Sequence, residues 1–219
     1  MPAAPKSPSL RKVLVTAFEP FGGDPINASL EALRRLPSRL GSLAIATAAL
    51  PASFSRSLPA LEAAISAAQP DLVLCTGQAA DRAALCVERV AVNVQDARIP
   101  DNDGAQPVDA AVIEGGPAAY LATIPVRAAV AALHAEDLPA QVSMSAGTFV
   151  CNQVFYGLMH FAAARRGAFR GGFLHVPALP GSNGSHAGGM PLEAIVLGIT
   201  TVLEASAHAA DPRLAARRD

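Results

Sequence analysis

The sequence predicts an α/β protein, a three-layer α/β/α sandwich with a central, largely parallel (mixed) sheet. Short apolar runs bounded by turn residues alternate with longer amphipathic, alanine-rich stretches, the pattern of strands buried on both faces by crossover helices. The 219 residues are 51% hydrophobic, enough to bury one large core. No linker, repeat or low-complexity segment divides the chain, so residues 1–219 read as one domain. Residues 1–10, rich in Pro, Ala and Ser, and about 208–219 at the other end are expected to be flexible.

The run KVLVTAF opens the sheet. NASLEALRRL follows as a helix with Asn27 as its N-cap, then SLAIATAAL as a strand and SFSRSLPALEAAISAAQ as an amphipathic helix. DLVLCTG is the next buried strand, and CVERVAVNVQD is strand-like after it. ARIPDNDGAQPVD has no regular pattern; a long polar loop inside a compact domain points to function. The remaining order is PVRAAVAALHAED as helix, QVSMSAG as strand, a glycine turn into the apolar helical pattern of FVCNQVFYG, GGFLHVP as strand, and PLEAIVLGITTVLEASA as the last helix. Ligands of such sheets bind beyond the carboxyl ends of the strands.

Composition narrows the chemistry. A net charge of −1 with 16% charged residues offers no basic field for nucleic acid and no polybasic membrane patch. No stretch supplies the roughly 18 uncharged apolar residues of a membrane span, and the start has no signal-peptide core, so a cytoplasmic protein is expected. Three cysteines without a C-x-x-C pair read as reduced thiols, neither a disulfide framework nor a zinc site. PDNDGAQPVD resembles a calcium loop, but Ile99 stands where the first carboxylate ligand belongs. Neither a P-loop nor a dinucleotide fingerprint occurs, so no phosphate-bearing cofactor is expected.

Cys151 stands three residues after Thr148, which is expected to cap the helix. A helix N-terminus favours a thiolate and offers free amides for an oxyanion; the bland alternative is an inert core thiol. Among five histidines, His160 lies nine residues further along the same helix, roughly 13 Å away on the opposite face. His134 falls late in a helix, His208 in the tail and His186 in the loop GSNGSHAGG. His175 falls near the carboxyl end of a strand, where active sites of this architecture gather, though a hydrogen-bonded core histidine also fits there. Glu88 is a carboxylate within an apolar strand pattern and needs a partner, either a catalytic base or an ion pair with Arg89 or another arginine. Cys86 shares Glu88's strand face and is a rival nucleophile without a helix terminus; Cys75 reads as core.

The segments VTAFEPFGGDPINAS, GQAADRAALCVERVAVNVQDARIPDNDGAQPVD, SAGTFVCNQVFYGLMH and RGGFLHVPALP together resemble pyroglutamyl-peptidase I, or pyrrolidone-carboxylate peptidase, a family of cysteine peptidases, from about residue 12 to about 205. The resemblance implies a triad of Cys151, His175 and Glu88 that releases N-terminal pyroglutamate from peptides without metal or cofactor, in an assembly that is often a tetramer in bacterial members. It places Phe18, Phe21, Ile99, Phe149 and Val150 around the lactam ring, Asn27 and the backbone near Gln78 and Ile99 at its polar edge, and Arg98 close by. After HVPALP the chain departs from the family, with GSNGSHAGGM where relatives often carry a glutamate and a glutamine, so the role of loop 181–190 stays open. Two other readings remain: a cysteine amidase or transferase on another small cyclic amide, and a catalytically idle or nucleoside-phosphorylase-like protein on a similar fold.

Overall fold

A computed structural model describes residues 10–182 and 189–208. Seven strands form the main sheet. They are β1 (Lys12–Phe18), β2 (Arg39–Leu40), β3 (Leu43–Leu50), β4 (Leu72–Gln78), β5 (Leu85–Glu88), β8 (Ala140–Ser143) and β9 (Arg170–Val176), in the order β2-β3-β1-β4-β9-β5-β8. Most pairs are parallel; β2 against β3 and β5 against β9 are antiparallel. The mixed α/β class expected from sequence is the one found. A separate two-stranded ribbon joins β6 (Val90–Val92) to β7 (Ala119–Leu121).

Helices α1 (Ala28–Arg35), α3 (Val126–Ala135) and α5 (Leu192–His208) cover one face, and α2 (Ser57–Ala68) and α4 (Val150–Ala164) the other. The alternation of strand side chains assigns each core residue to a layer. Val13, Leu72, Leu74, Leu85, Val87 and Leu174 join the α1/α3/α5 core, whereas Leu14, Val73, Cys75 and Phe173 join the α2/α4 core. By the same parity Gly77, Cys86, Glu88 and His175 project toward α4.

The strand-like run expected over CVERVAVNVQD is broken: β5 ends at Glu88 within the main sheet and β6 leaves it at Val90. Loop 95–113 is irregular, as expected, with one isolated bridge between Gln95 and Ala110. Loop residues 183–188, with His186, lie outside the described residues, as do 1–9 and 209–219.

Candidate active site

In the antiparallel pairing of β5 with β9, Cys86 lies opposite His175, and Glu88 lies opposite Phe173. Glu88 is therefore a diagonal neighbour of His175, within reach of a long side chain. His175 Nδ1 and Glu88 Oε1 are 2.8 Å apart. A carboxylate only accepts, so Nδ1 carries the proton and Nε2 is left as an acceptor. Glu88 is 0% exposed, and burying a carboxylate is costly without a cation. That cation is Arg82, in the turn after β4, whose Nη1 donates to the same Oε1 at 2.7 Å. Glu88 Oε2 is buried without a partner among the described residues. Both kinds of partner weighed for Glu88, a histidine and an arginine, thus meet on one oxygen.

Gly147, at φ +76, occupies the left-handed region that glycine tolerates and turns the chain into α4. The helix begins at Val150, with Cys151 its second residue and Phe149 at the N-cap without a side-chain cap. This corrects the expectation for Thr148. Its hydroxyl donates to the Asp96 carbonyl at 2.7 Å instead of capping the helix, and so ties the turn to loop 95–113. The first-turn amides of α4 have no intrahelical acceptor and point at the space before the helix.

Cys151 is partly exposed and its sulfur lies over Gly77, the register partner of His175, so closely that a Cβ there would stand 2.9 Å from Sγ. The expectation that the helix terminus lowers this thiol's pKa does not hold. Burial, followed by the charge of Glu88, pushes it up to about 12, while Arg82 pulls it down. Burial likewise holds Cys75 at about 12, deep in the core. Cys86 is fully buried and its sulfur is engaged by the Ala84 carbonyl and the Gln141 amide.

Cys151 and His175 open on one cavity of about 700 Å³. Phe21, Ile99 and Phe149 supply its apolar wall, and Gln78 and Arg98 also line it. Phe149 is braced by Phe54 edge-on at 5.3 Å and by Phe21 at 5.9 Å. Three of the residues expected around the lactam are not on the wall. Phe18, 2% exposed, and Val150 are packed in the α2/α4 core. Asn27 is buried as the cap of α1, accepting from the Ser29 amide and donating to the Glu19 carbonyl, so its polar atoms are already engaged. The Gln78 side chain is also partly engaged, accepting from the Ala28 amide at 2.6 Å.

The other described histidines are engaged elsewhere: His160 with Tyr120, His134 with the Ala140 carbonyl, and His208 with the Glu204 carbonyl. Asp101 accepts from three loop amides, and Asp103 takes two bonds from Arg56, which explains the calcium-like spelling as loop architecture. Among the described residues no group of three or more His, Cys, Asp or Glu is placed to hold a metal ion, and no helix is long and apolar enough to cross a membrane.

Arg82, Gly77 and Phe54 were not singled out from sequence. A signal for the first exists: adjacent strand residues face opposite sides, so Arg89 points away from Glu88, and an arginine outside the strand is left to serve.

Comparison with known proteins gives a consistent picture. The profile of the family described as pyroglutamyl peptidase matches residues 11–209. A pyrrolidone-carboxylate peptidase of Erwinia tasmaniensis is 50% identical over 210 residues, covering 94% of this chain and 98% of its own. One from Cupriavidus taiwanensis is 49% identical over 195 residues, with 87% and 90% covered. The crystal structure of pyroglutamyl peptidase I from Bacillus amyloliquefaciens superimposes with a TM-score of 0.88 at 40% identity, covering 92% of this chain and 97% of that one.

Proposed function

Because the chain belongs to the pyroglutamyl peptidase family, a group of hydrolases, we propose that it is a cysteine exopeptidase that cleaves the amide bond after an N-terminal pyroglutamyl residue. The observation that carries the reading is the His175–Glu88 pair opening on the same cavity as a thiol at the start of a helix. His175 Nε2 takes the proton of Cys151 as the sulfur attacks the pyroglutamyl carbonyl carbon, and Glu88 stabilises the imidazolium that forms. First-turn amides of α4 hold the oxyanion. The tetrahedral species collapses with cleavage of the C–N bond, and the leaving amine takes the proton from Nε2. Water, deprotonated by His175, then hydrolyses the thioester, freeing pyroglutamate and restoring the thiol.

The lactam is small, uncharged and nearly flat, which suits the wall of Phe21, Ile99 and Phe149. The reading extends to a single-domain, cytoplasmic homotetramer, a mass that light scattering measures.

The test is hydrolysis of a chromogenic pyroglutamyl amide beside its prolyl counterpart. A site that hydrogen-bonds the lactam carbonyl rejects the ring that lacks it by up to roughly 10⁴-fold in kcat/KM. Cys151→Ser should abolish turnover, while Cys75→Ser and Cys86→Ser retain it. Comparable rates on both amides, or full activity in the Cys151 variant, would overturn the proposal.

A further inference from the structure

The cation beside Glu88 does more than neutralise it. Arg82 is held by three elements: Nη1 donates to Glu88 Oε1 at 2.7 Å and to Ser143 Oγ at 3.3 Å, and Nη2 donates to the Ser145 carbonyl at 3.0 Å. Its side chain is 24% exposed and lines the cavity. The oxygen it grips is the one that accepts from His175, so the carboxylate is clamped from two sides through a single atom.

Two negative charges compete for this space. Burying a carboxylate as completely as Glu88 is costly without a cation beside it, and the imidazole N–H needs an acceptor oxygen held in place. The reaction also needs a thiolate in the same cavity. The charge of Glu88 opposes that thiolate, and the charge of Arg82 favours it.

We infer that Arg82 is the positioning residue of the triad: it fixes Glu88 against His175 and supplies the positive charge that lets a buried carboxylate and a thiolate occupy one cavity. The inference rests on the proposed roles of Cys151, His175 and Glu88. The charged and titratable groups around the guanidinium and the thiol are Glu88 and Cys86 from β5, His175 from β9, Cys75 from β4, and Asp81, Asp96 and Arg98 on the cavity wall. Arg98 and the two aspartates are exposed, where water screens them; among the described arginines and lysines, Arg82 is the one that bonds to Glu88.

The experiment compares the wild type with Arg82→Gln and Arg82→Lys in two measurements: kcat/KM for a chromogenic pyroglutamyl amide against pH, and the rate of Cys151 alkylation by iodoacetamide at fixed, mildly alkaline pH. An adjacent charge moves an acid by about one to three pH units. Arg82→Gln should therefore shift the acidic limb of kcat/KM upward by about that amount and slow alkylation by about tenfold or more. Arg82→Lys keeps the charge but not the fork, so it should recover most of the alkylation rate and a smaller part of kcat/KM. If the glutamine variant does not fold, Arg82→Met, a neutral side chain of similar length, takes its place in the same two readouts. Wild-type pH profiles and alkylation rates in the folded variants, whatever the fall in kcat, would reduce Arg82 to a strut and overturn the inference. Failure of the underlying reading looks different: the wild type itself would not cleave the amide, or would survive alkylation.

Discussion

Gly77 pairs with His175 across β4 and β9, and the space its missing side chain leaves is filled by the sulfur of Cys151 and the ring of Phe173. An added Cβ would stand 2.9 Å from Sγ and 3.1 Å from Phe173 Cζ, so one of them must move. Gly77→Ala should lower kcat/KM by about 10²-fold, as misplacing a reacting group by an ångström does, with an overpacking cost of about 1–3 kcal/mol measurable by denaturation. Unchanged kcat/KM would show that the sulfur is not held against β4. A helix terminus contributes about 0.3–1 kcal/mol, less than one pK unit, whereas burial moves this thiol from 9.0 to about 12. Cys151 therefore rests as a thiol, and in the proposed mechanism it depends on His175 to be deprotonated at the moment of attack.

Among the elements, α1 owes its start to one side chain. Asn27 accepts from the amide and the hydroxyl of Ser29 at 3.0 and 2.7 Å and donates to the Glu19 carbonyl at 3.2 Å. Asn27→Ala should cost about 1–2 kcal/mol of stability by urea denaturation and leave KM for a pyroglutamyl amide nearly unchanged; a rise in KM with stability intact would place Asn27 on the substrate instead. Elements with a strong single period, such as KVLVTAF, DLVLCTG and the α5 pattern, were legible because burial on two faces or one stripe writes itself into the residue order. The ribbon of β6 and β7 was not, since three-residue strands leave no period to read. Cys151, His175 and Glu88 stood out because each is a costly or reactive group in an apolar setting. The depth of Phe18, Val150 and Asn27 was hidden, because a residue at the end of a strand or the start of a helix does not declare which way it faces. Arg82 was half visible: alternation along β5 excludes Arg89, but which other arginine reaches Glu88 is decided by the turn between β4 and β5.

At the scale of the whole molecule, two thiols with raised pKa values make stability fall in alkali. Above their ordinary value of 9.0 the unfolded chain releases protons that folded Cys75 and Cys151 keep until about 12, so the unfolded state binds fewer protons and stability declines as pH rises through that window. Each thiol contributes at most about 1.4 kcal/mol per pH unit, less for Cys151, which touches solvent. Urea midpoints should fall from about pH 9 to about pH 11, and Cys75→Ser should flatten the decline; a wild-type midpoint constant over that range would contradict the burial argument. The sheet order has a consequence of another kind. β9, carrying His175, lies between β4 and β5, so the facing edges of those two strands can find their partner only after residues 170–176 have been made. Until then the nascent chain carries two unsatisfied strand edges, open to wrong partners and to chaperones. The strand that pairs both edges is also the one that brings the imidazole to Glu88, so a single segment completes the sheet and the His175–Glu88 pair together.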